Sequence, residues 1–417
     1  MKLLFVMSDH YPYDGACTNL LKNLFYNGHM LNTCDEIHVL TNKYVYDEPE
    51  YEIIDGIVIH RVLNWTLLPM NELKKYTKIH ILYGIYGGIS KAIQKMLDIV
   101  EKENFLKKGI IHSYKAKLRF INAYRYDVII PIMGTYSIVP AVSQYISKHP
   151  GPKLVIYQVD PCSSNTGKLD NTIKKGVAFE QREYANADAV ITTPIICDLQ
   201  KSVLPFEIYR KFVSAEFPNV SDELSTMCVK KRTDEKIICL FSGTFYSGTR
   251  NPLYTFHLLR EVIKKIPGTE FHLIGIKQED IPLEFQANEI IGYGRLPLKK
   301  AKEAIANADY LINIGNDRIT QVPSKLNDYI STGKPIINIC KHRNCPTLSY
   351  MEKYPIALNI FEDENDVEQP TELLVNFIRN HRNETISFDR IKKIFEECTP
   401  EYVADLMYKT FESVINK

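Results

Sequence analysis

What most limits the fold of this chain is a repeated alternation of short, β-branched apolar runs with helical patterns. The runs fall at 3–7, 36–41, 57–62, 127–132, 154–158 and 189–193, and again at 237–241, 270–274, 289–291, 310–314 and 336–339. Near-continuous apolar strands separated by helices require a parallel sheet covered on both faces. A polar, strand-poor stretch from about 205 to 235, carrying SDELSTMCVKKRTDEK, divides the alternation in two. The 417 residues exceed one ordinary core, as domains run to roughly 100–200 residues. The expected organisation is a first domain over 1–205, a second over 206–398, and a closing helix over 399–417 that crosses back to the first. In that helix Thr399 serves as cap, and Val403, Leu406, Met407, Phe411 and Val414 share one face.

Composition excludes several classes. A net charge of +1 argues against a dedicated nucleic-acid binder. The nine cysteines are odd in number and scattered without a Cys-x-x-Cys pair, which points to free thiols instead of a disulfide framework or thiolate zinc site. No run approaches the ~18–20 apolar residues of a membrane span. The opening MKLLFVMSDHYP lacks a small-residue cleavage site and reads as a buried first strand. The expectation is a soluble cytoplasmic protein, at most peripheral to a membrane.

Paired doubly wound domains bind ligands outside the carboxyl ends of their strands, in a cleft they face together. Dehydrogenases, sugar-nucleotide enzymes and bilobed solute-binding proteins all fit that description. The lone Gly15 after the first strand is not the GxGxxG of a dinucleotide fold, and no leader supports secretion.

The most informative segment is ADYLINIGNDRITQVPSKLNDYISTGKPII, 308–337. A strand leads to a polar loop, Pro323 and Ser324 open a helix, and Gly333 with Pro335 stops it. Ser324 and the helix-start N–H groups suit a diphosphate, Lys325 adds positive charge, and Asp328 one turn on suits ribose hydroxyls. An ordinary capped helix has the same composition.

The block resembles the donor site of retaining GT-B glycosyltransferases of family 4, whose polysaccharide-building members carry a similar helix ending in Gly-Lys-Pro. The resemblance implies donor contacts from Thr320, Ser324, Lys325, Leu326 and Asp328. The family pattern has Glu at the positions of Thr320 and Asp328; Thr removes a carboxylate near the donor sugar and leaves the sugar's identity open. The segment ICLFSGTFYSGTRNPLYTFHLLREV, 238–262, resembles the opening of the family's C-terminal domain, which implies Gly243, Thr244 and Arg250 near the donor phosphates. IIGYGRLP resembles the loop that cradles the base, implying Gly294 and Arg295. In the first half, FVMSDHYPYDGACTNLLKNL and KLVIYQVDP resemble the family's first strand and loop and a strand ending in Asp at the cleft. They imply close backbone approach at Gly15 and a catalytic role for Asp160 toward the acceptor hydroxyl; as a plain strand-end residue Asp160 is equally ordinary.

The fold class implied is α/β GT-B, two Rossmann-like domains facing a cleft. The implied reaction moves a hexose or N-acetylhexosamine from a UDP-sugar, with retention, to a glycan or polyprenyl-linked acceptor. No metal or cofactor beyond the donor is called for, because cations and a helix terminus stabilise the leaving diphosphate. Two alternatives stay open: a non-catalytic sugar-nucleotide-binding partner subunit, and a sugar-nucleotide epimerase. Finally, 72–126 holds twelve Lys/Arg against four acids, with Leu82, Ile85, Ile89, Ile93, Tyr76, Tyr83 and Tyr114 among them. Such a region reads as a surface for anionic lipid or as a solvated helical insertion.

Overall fold

The computed structural model describes residues 1–9, 11–13, 15–63, 106–165, 170–227, 236–245, 250–317, 322–323, 325–362 and 367–417. They divide into two compact units, Met1–Pro218 with Pro400–Lys417, and Asn219–Thr399.

The first unit contains β1 (Lys2–Val6), β2 (Glu36–Asn42), β3 (Tyr51–Ile54), β4 (Ile57–Val62), β5 (Val128–Pro131), β6 (Lys153–Tyr157), β7 (Ala189–Thr192) and β8 (Phe212–Ser214). Their order is β3-β4-β2-β1-β5-β6-β7-β8. Every pairing is parallel except β3 with β4. That hairpin turns on Asp55-Gly56, both at positive φ, the signature of a tight type I′ connection. The unit runs past the expected limit at 205 because β8 extends the sheet beside β7. The helix Pro400–Ile415 belongs to this unit, where Val403, Met407 and Phe411 pack with Leu3, Phe5 and Tyr157 in one core.

The second unit contains β9 (Ile237–Ser242), β10 (Thr269–Ile274), β11 (Ile290–Gly294), β12 (Tyr310–Ile314), β13 (Ile336–Cys340) and β14 (Ala357–Phe361), ordered β11-β10-β9-β12-β13-β14. All five pairings are parallel. Before the helix Leu253–Lys265, the Leu253 N–H donates to Asn251 Oδ1 at 3.1 Å. The helix buries Phe256, Leu258, Leu259 and Val262, while Leu253 at its start is exposed. The lysine of Gly333-Lys334-Pro335 is structural. Its ammonium is buried and donates to Ala306 O at 2.6 Å and to Ala308 O, closing the helix Leu298–Asn307. Burial pushes its pKa down to about 8.

Both sheets reverse their winding once. In the first, the chain goes from β1 outward to β2 and β4, then returns to β5 on the other side of β1. In the second it goes from β9 to β10 and β11, then returns to β12. At such switch points the following loops part in opposite directions and leave a crevice at the carboxyl edge.

Candidate functional site

At the β9/β12 switch of the second unit, β9 ends at Ser242 and leads into Gly243 and Thr244. The Gly243 N–H donates to Ile274 O at 2.9 Å. Opposite lies Gly275, at φ +93°, where a Cβ would stand 2.3 Å from Gly243 O; only glycine permits this approach. The Arg250 guanidinium spans the switch. Its Nε and Nη2 donate to Asn316 Oδ1 at 3.0 and 2.7 Å, and Nη1 donates to Thr244 O at 3.3 Å. These neutral acceptors fix the orientation of a cation at the strand ends.

Tyr329 ties the helix Lys325–Ser331 to the same point. Its buried hydroxyl accepts the Ser242 N–H at 2.7 Å. Burial raises its pKa, the bond from Ser242 opposes that, and Asp328 and Arg250 are both close enough to act on it. Gly243, Thr244 and Arg250 therefore lie together, and Tyr329 ties the helix that carries Asp328 to the same strand end. Lys325 joins them by donating to Asp328 Oδ2 at 3.0 Å, with both side chains partly exposed. Leu326 is different: its side chain is wholly buried and its N–H donates to Pro323 O at 3.0 Å, so it anchors the helix. Gly294 ends β11 at φ +64°, and its N–H donates to Ile276 O at 2.7 Å. Arg295 beside it is exposed. Thr320 and Ser324 lie outside the described residues.

A second ionic group flanks the switch. Lys341, just after β13, donates to Glu362 Oε2, just after β14, at 2.5 Å, and to Asn251 O. Both side chains are largely buried, at 6% and 11% exposure. Burial raises the Glu362 pKa and the Lys341 ammonium opposes it. Arg250 and Asn251 are thus each held by a side chain that follows a neighbouring strand, Asn316 and Lys341. Asn316, Tyr329 and Lys341 escaped the sequence reading. The signal for Asn316 and Lys341 was a polar residue just past an apolar strand.

In the first unit, Gly15 and Asp160 both lie near the β1/β5 switch. A Cβ at Gly15 would stand 3.0 Å from Asp9 Oδ2, and the Asp160 N–H donates to Met133 O at 3.4 Å. Asp9 is a further carboxylate that sequence reading passed over. Of the basic region, 72–105 lies outside the described residues. In the helix Lys108–Phe120, Tyr114 is wholly buried, and its hydroxyl donates to Met7 O at 2.7 Å. This aromatic therefore belongs to the core and not to a surface. Lys117 pairs with Glu50 at 2.7 Å, while Lys108, Arg119 and Phe120 are exposed.

Among the described residues no group of three or more His, Cys, Asp or Glu is arranged to hold a metal ion. No helix there is long and apolar enough to cross a membrane.

No protein-family model matches the chain, and no curated protein matches it in sequence. Solved structures do match over its whole length. An α,α-trehalose-phosphate synthase (UDP-forming) from Burkholderia xenovorans, solved with glucose-6-phosphate, is similar at TM-score 0.63 and 9% identity, covering 99% of this chain and 100% of that one. A mutant of S. aureus TarM, solved with fondaparinux, α-GlcNAc-glycerol and UDP, is similar at TM-score 0.62 and 10% identity, covering 100% of both. A UDP-N-acetylglucosamine 2-epimerase homologue from Listeria monocytogenes follows at TM-score 0.54 and 10% identity, covering 99% and 96%. At such low identities the likeness establishes architecture: the chain has the two-unit α/β fold of GT-B glycosyltransferases.

Proposed function

We propose that this protein is a glycosyltransferase that moves a hexose or N-acetylhexosamine from a UDP-sugar to a hydroxyl of a growing glycan or lipid-linked acceptor, with retention. The observation that carries the reading is the Arg250 guanidinium fixed across the β9/β12 switch by Asn316 and Thr244. A cation held there is suited to a diphosphate, because charge-assisted bonds to phosphate oxygens are strong and directional. Lys325 would add a second cation, Asp328 would accept from the ribose, and Gly243 would let the backbone approach the phosphates. Gly294 and Arg295 would border the base, with Thr320 and Ser324 in the adjoining loop. Two of the similar structures support a uridine donor: one enzyme is named as UDP-forming and the other was solved with UDP. Stabilisation of the leaving diphosphate by these cations requires no metal.

In the first unit Asp160 would orient or deprotonate the acceptor hydroxyl. The basic stretch 72–126 would let a cytoplasmic enzyme rest against anionic lipid. Vesicle binding that falls steeply with salt would support this, and absence of binding at low salt would end it.

The test is product analysis. The purified protein is incubated with UDP-sugars, with and without a sugar acceptor. Transfer, or slow hydrolysis releasing UDP, supports the proposal. An altered sugar still joined to UDP without any acceptor would instead mark an epimerase, the reading favoured by the Listeria likeness. Tight donor binding without turnover would mark a non-catalytic partner subunit.

A further inference from the structure

The carboxyl edge of the first sheet carries chemistry opposite to that of the second. Ser8 and Thr135 join their hydroxyls across the β1/β5 switch. The turn after β1 is pinned from β2: Thr41 Oγ1 donates to Asp9 O and Asn42 Nδ2 donates to Ser8 O. Asp9 is thereby held with Oδ2 3.0 Å from the Cβ position of Gly15, and Thr18 Oγ1 lies 3.4 Å from that same point. Thr18 is wholly buried, and its hydroxyl has no hydrogen-bond partner among the described residues. An orphaned buried hydroxyl costs about 1–3 kcal/mol, which a bound polar group can offset.

Cys17 extends the crevice. Its Sγ lies 3.3 Å from the Cβ position of Gly134, which is 3.6 Å from Val159 Cγ2, next to Asp160. Burial, then Asp9 and Asp160, raise the thiol pKa, so Cys17 stays protonated and is no nucleophile. The buried Tyr157 hydroxyl also lacks a partner among the described residues. Asp9 and the unpartnered Thr18 hydroxyl thus meet at one point beside Gly15. A carboxylate accepts hydrogen bonds and repels anions, while a hydroxyl can donate or accept.

We infer that this crevice binds a sugar through its hydroxyl or ammonium donors, with Asp9 and Thr18 as binding residues beside Asp160, and excludes a sugar that is anionic at the reacting end. This names the acceptor class for the proposed transferase and rests on that reading, but it concerns the first unit alone. It assigns any phosphate of a lipid-linked acceptor to a place outside the crevice.

The test titrates glucosamine, glucose and glucuronate, three rings of similar size and different charge, into the whole protein held with saturating UDP at neutral pH. Affinity should fall in that order. Asp9→Asn should weaken glucosamine by about tenfold, the loss of one hydrogen bond to a charged group, and bring glucuronate closer to glucose. Thr18→Val should weaken all three sugars while leaving thermal stability unchanged or higher, because it removes the orphaned hydroxyl; a purely structural role would lower stability and leave relative affinities alone. Glucuronate binding as tightly as glucosamine, no binding of any of the three, or an order unchanged in Asp9→Asn would overturn the inference. UDP binding, measured in the same samples, reports separately on the donor reading.

Discussion

Each of the two sheets has its own switch point, and the side chains just past the strands differ in charge between the two. At the β9/β12 switch the residues are Arg250, held by neutral oxygens, and Lys325 and Lys341, each paired with a carboxylate, Asp328 and Glu362. At the β1/β5 switch they are Asp9 and Asp160, with buried hydroxyls that lack partners among the described residues. Topology alone sets where a ligand can sit; the side chains just past each strand set what it is. A cationic edge suits the diphosphate half of a nucleotide sugar, and an acidic edge suits a hydroxyl-bearing acceptor.

The largest effect that would sharpen this contrast comes from the buried pair of the second unit. Removing one partner of a buried ion pair costs about 3–5 kcal/mol. Lys341→Met should therefore lower the unfolding free energy by that order in denaturant titration, and adding Glu362→Gln should restore much of it. It should also weaken UDP binding, since Lys341 holds the Asn251 carbonyl next to Arg250. Full UDP affinity in Lys341→Met would separate the pair from the site.

Next in size is Arg250→Ala. Loss of charged hydrogen bonds should weaken UDP by about 1.5–3 kcal/mol while leaving sugar binding at the first unit alone. Equal loss for both ligands would break the division of labour between the edges.

The first unit should also be the more acid-sensitive. His38 and His60 are buried on β2 and β4, with Nδ1 of one 3.0 Å from Nε2 of the other. Burial holds both pKa values down to about 4. A depressed histidine contributes stability that is present above its unfolded pKa, about 6.5, and lost as pH falls toward the folded value. Glu180, raised by burial, acts in the opposite sense. Calorimetry should show the midpoint of the first unit dropping by several degrees between pH 6.5 and 4, with His38→Asn plus His60→Asn flattening the slope.

Asp328→Asn should give the smallest change, about 1 kcal/mol of UDP affinity, with inorganic diphosphate unaffected. An amide keeps one acceptor where the carboxylate had two. A matching loss for diphosphate would move Asp328 from the ribose to the phosphates.

Much of the architecture was legible because apolar strands buried on both faces announce themselves. All eleven expected runs overlap strands of the structure. The three others hid for different reasons. In β3, Tyr51 and Ile53 are exposed on an edge. β8 is three residues long and half-buried, and β14 is an edge strand of mostly half-buried residues. At the site, Gly243, Thr244, Arg250 and Asp328 were legible as a pattern, and the structure sets Arg250 beside Gly243 and Thr244. Their holders were not, because the contacts of Asn316 with Arg250 and of Tyr329 with Ser242 span 66 and 87 residues. Asp9 was passed over because its closeness to Gly15 and Thr18 depends on the fold of the loop between them.

The most direct test of the central claim is to titrate the wild-type protein with UDP and with uridine under identical salt. If the second sheet's switch is a diphosphate site, UDP should bind about tenfold or more tightly than uridine, and the difference should shrink as salt rises. Equal affinities, or no binding of UDP at all, would contradict the account.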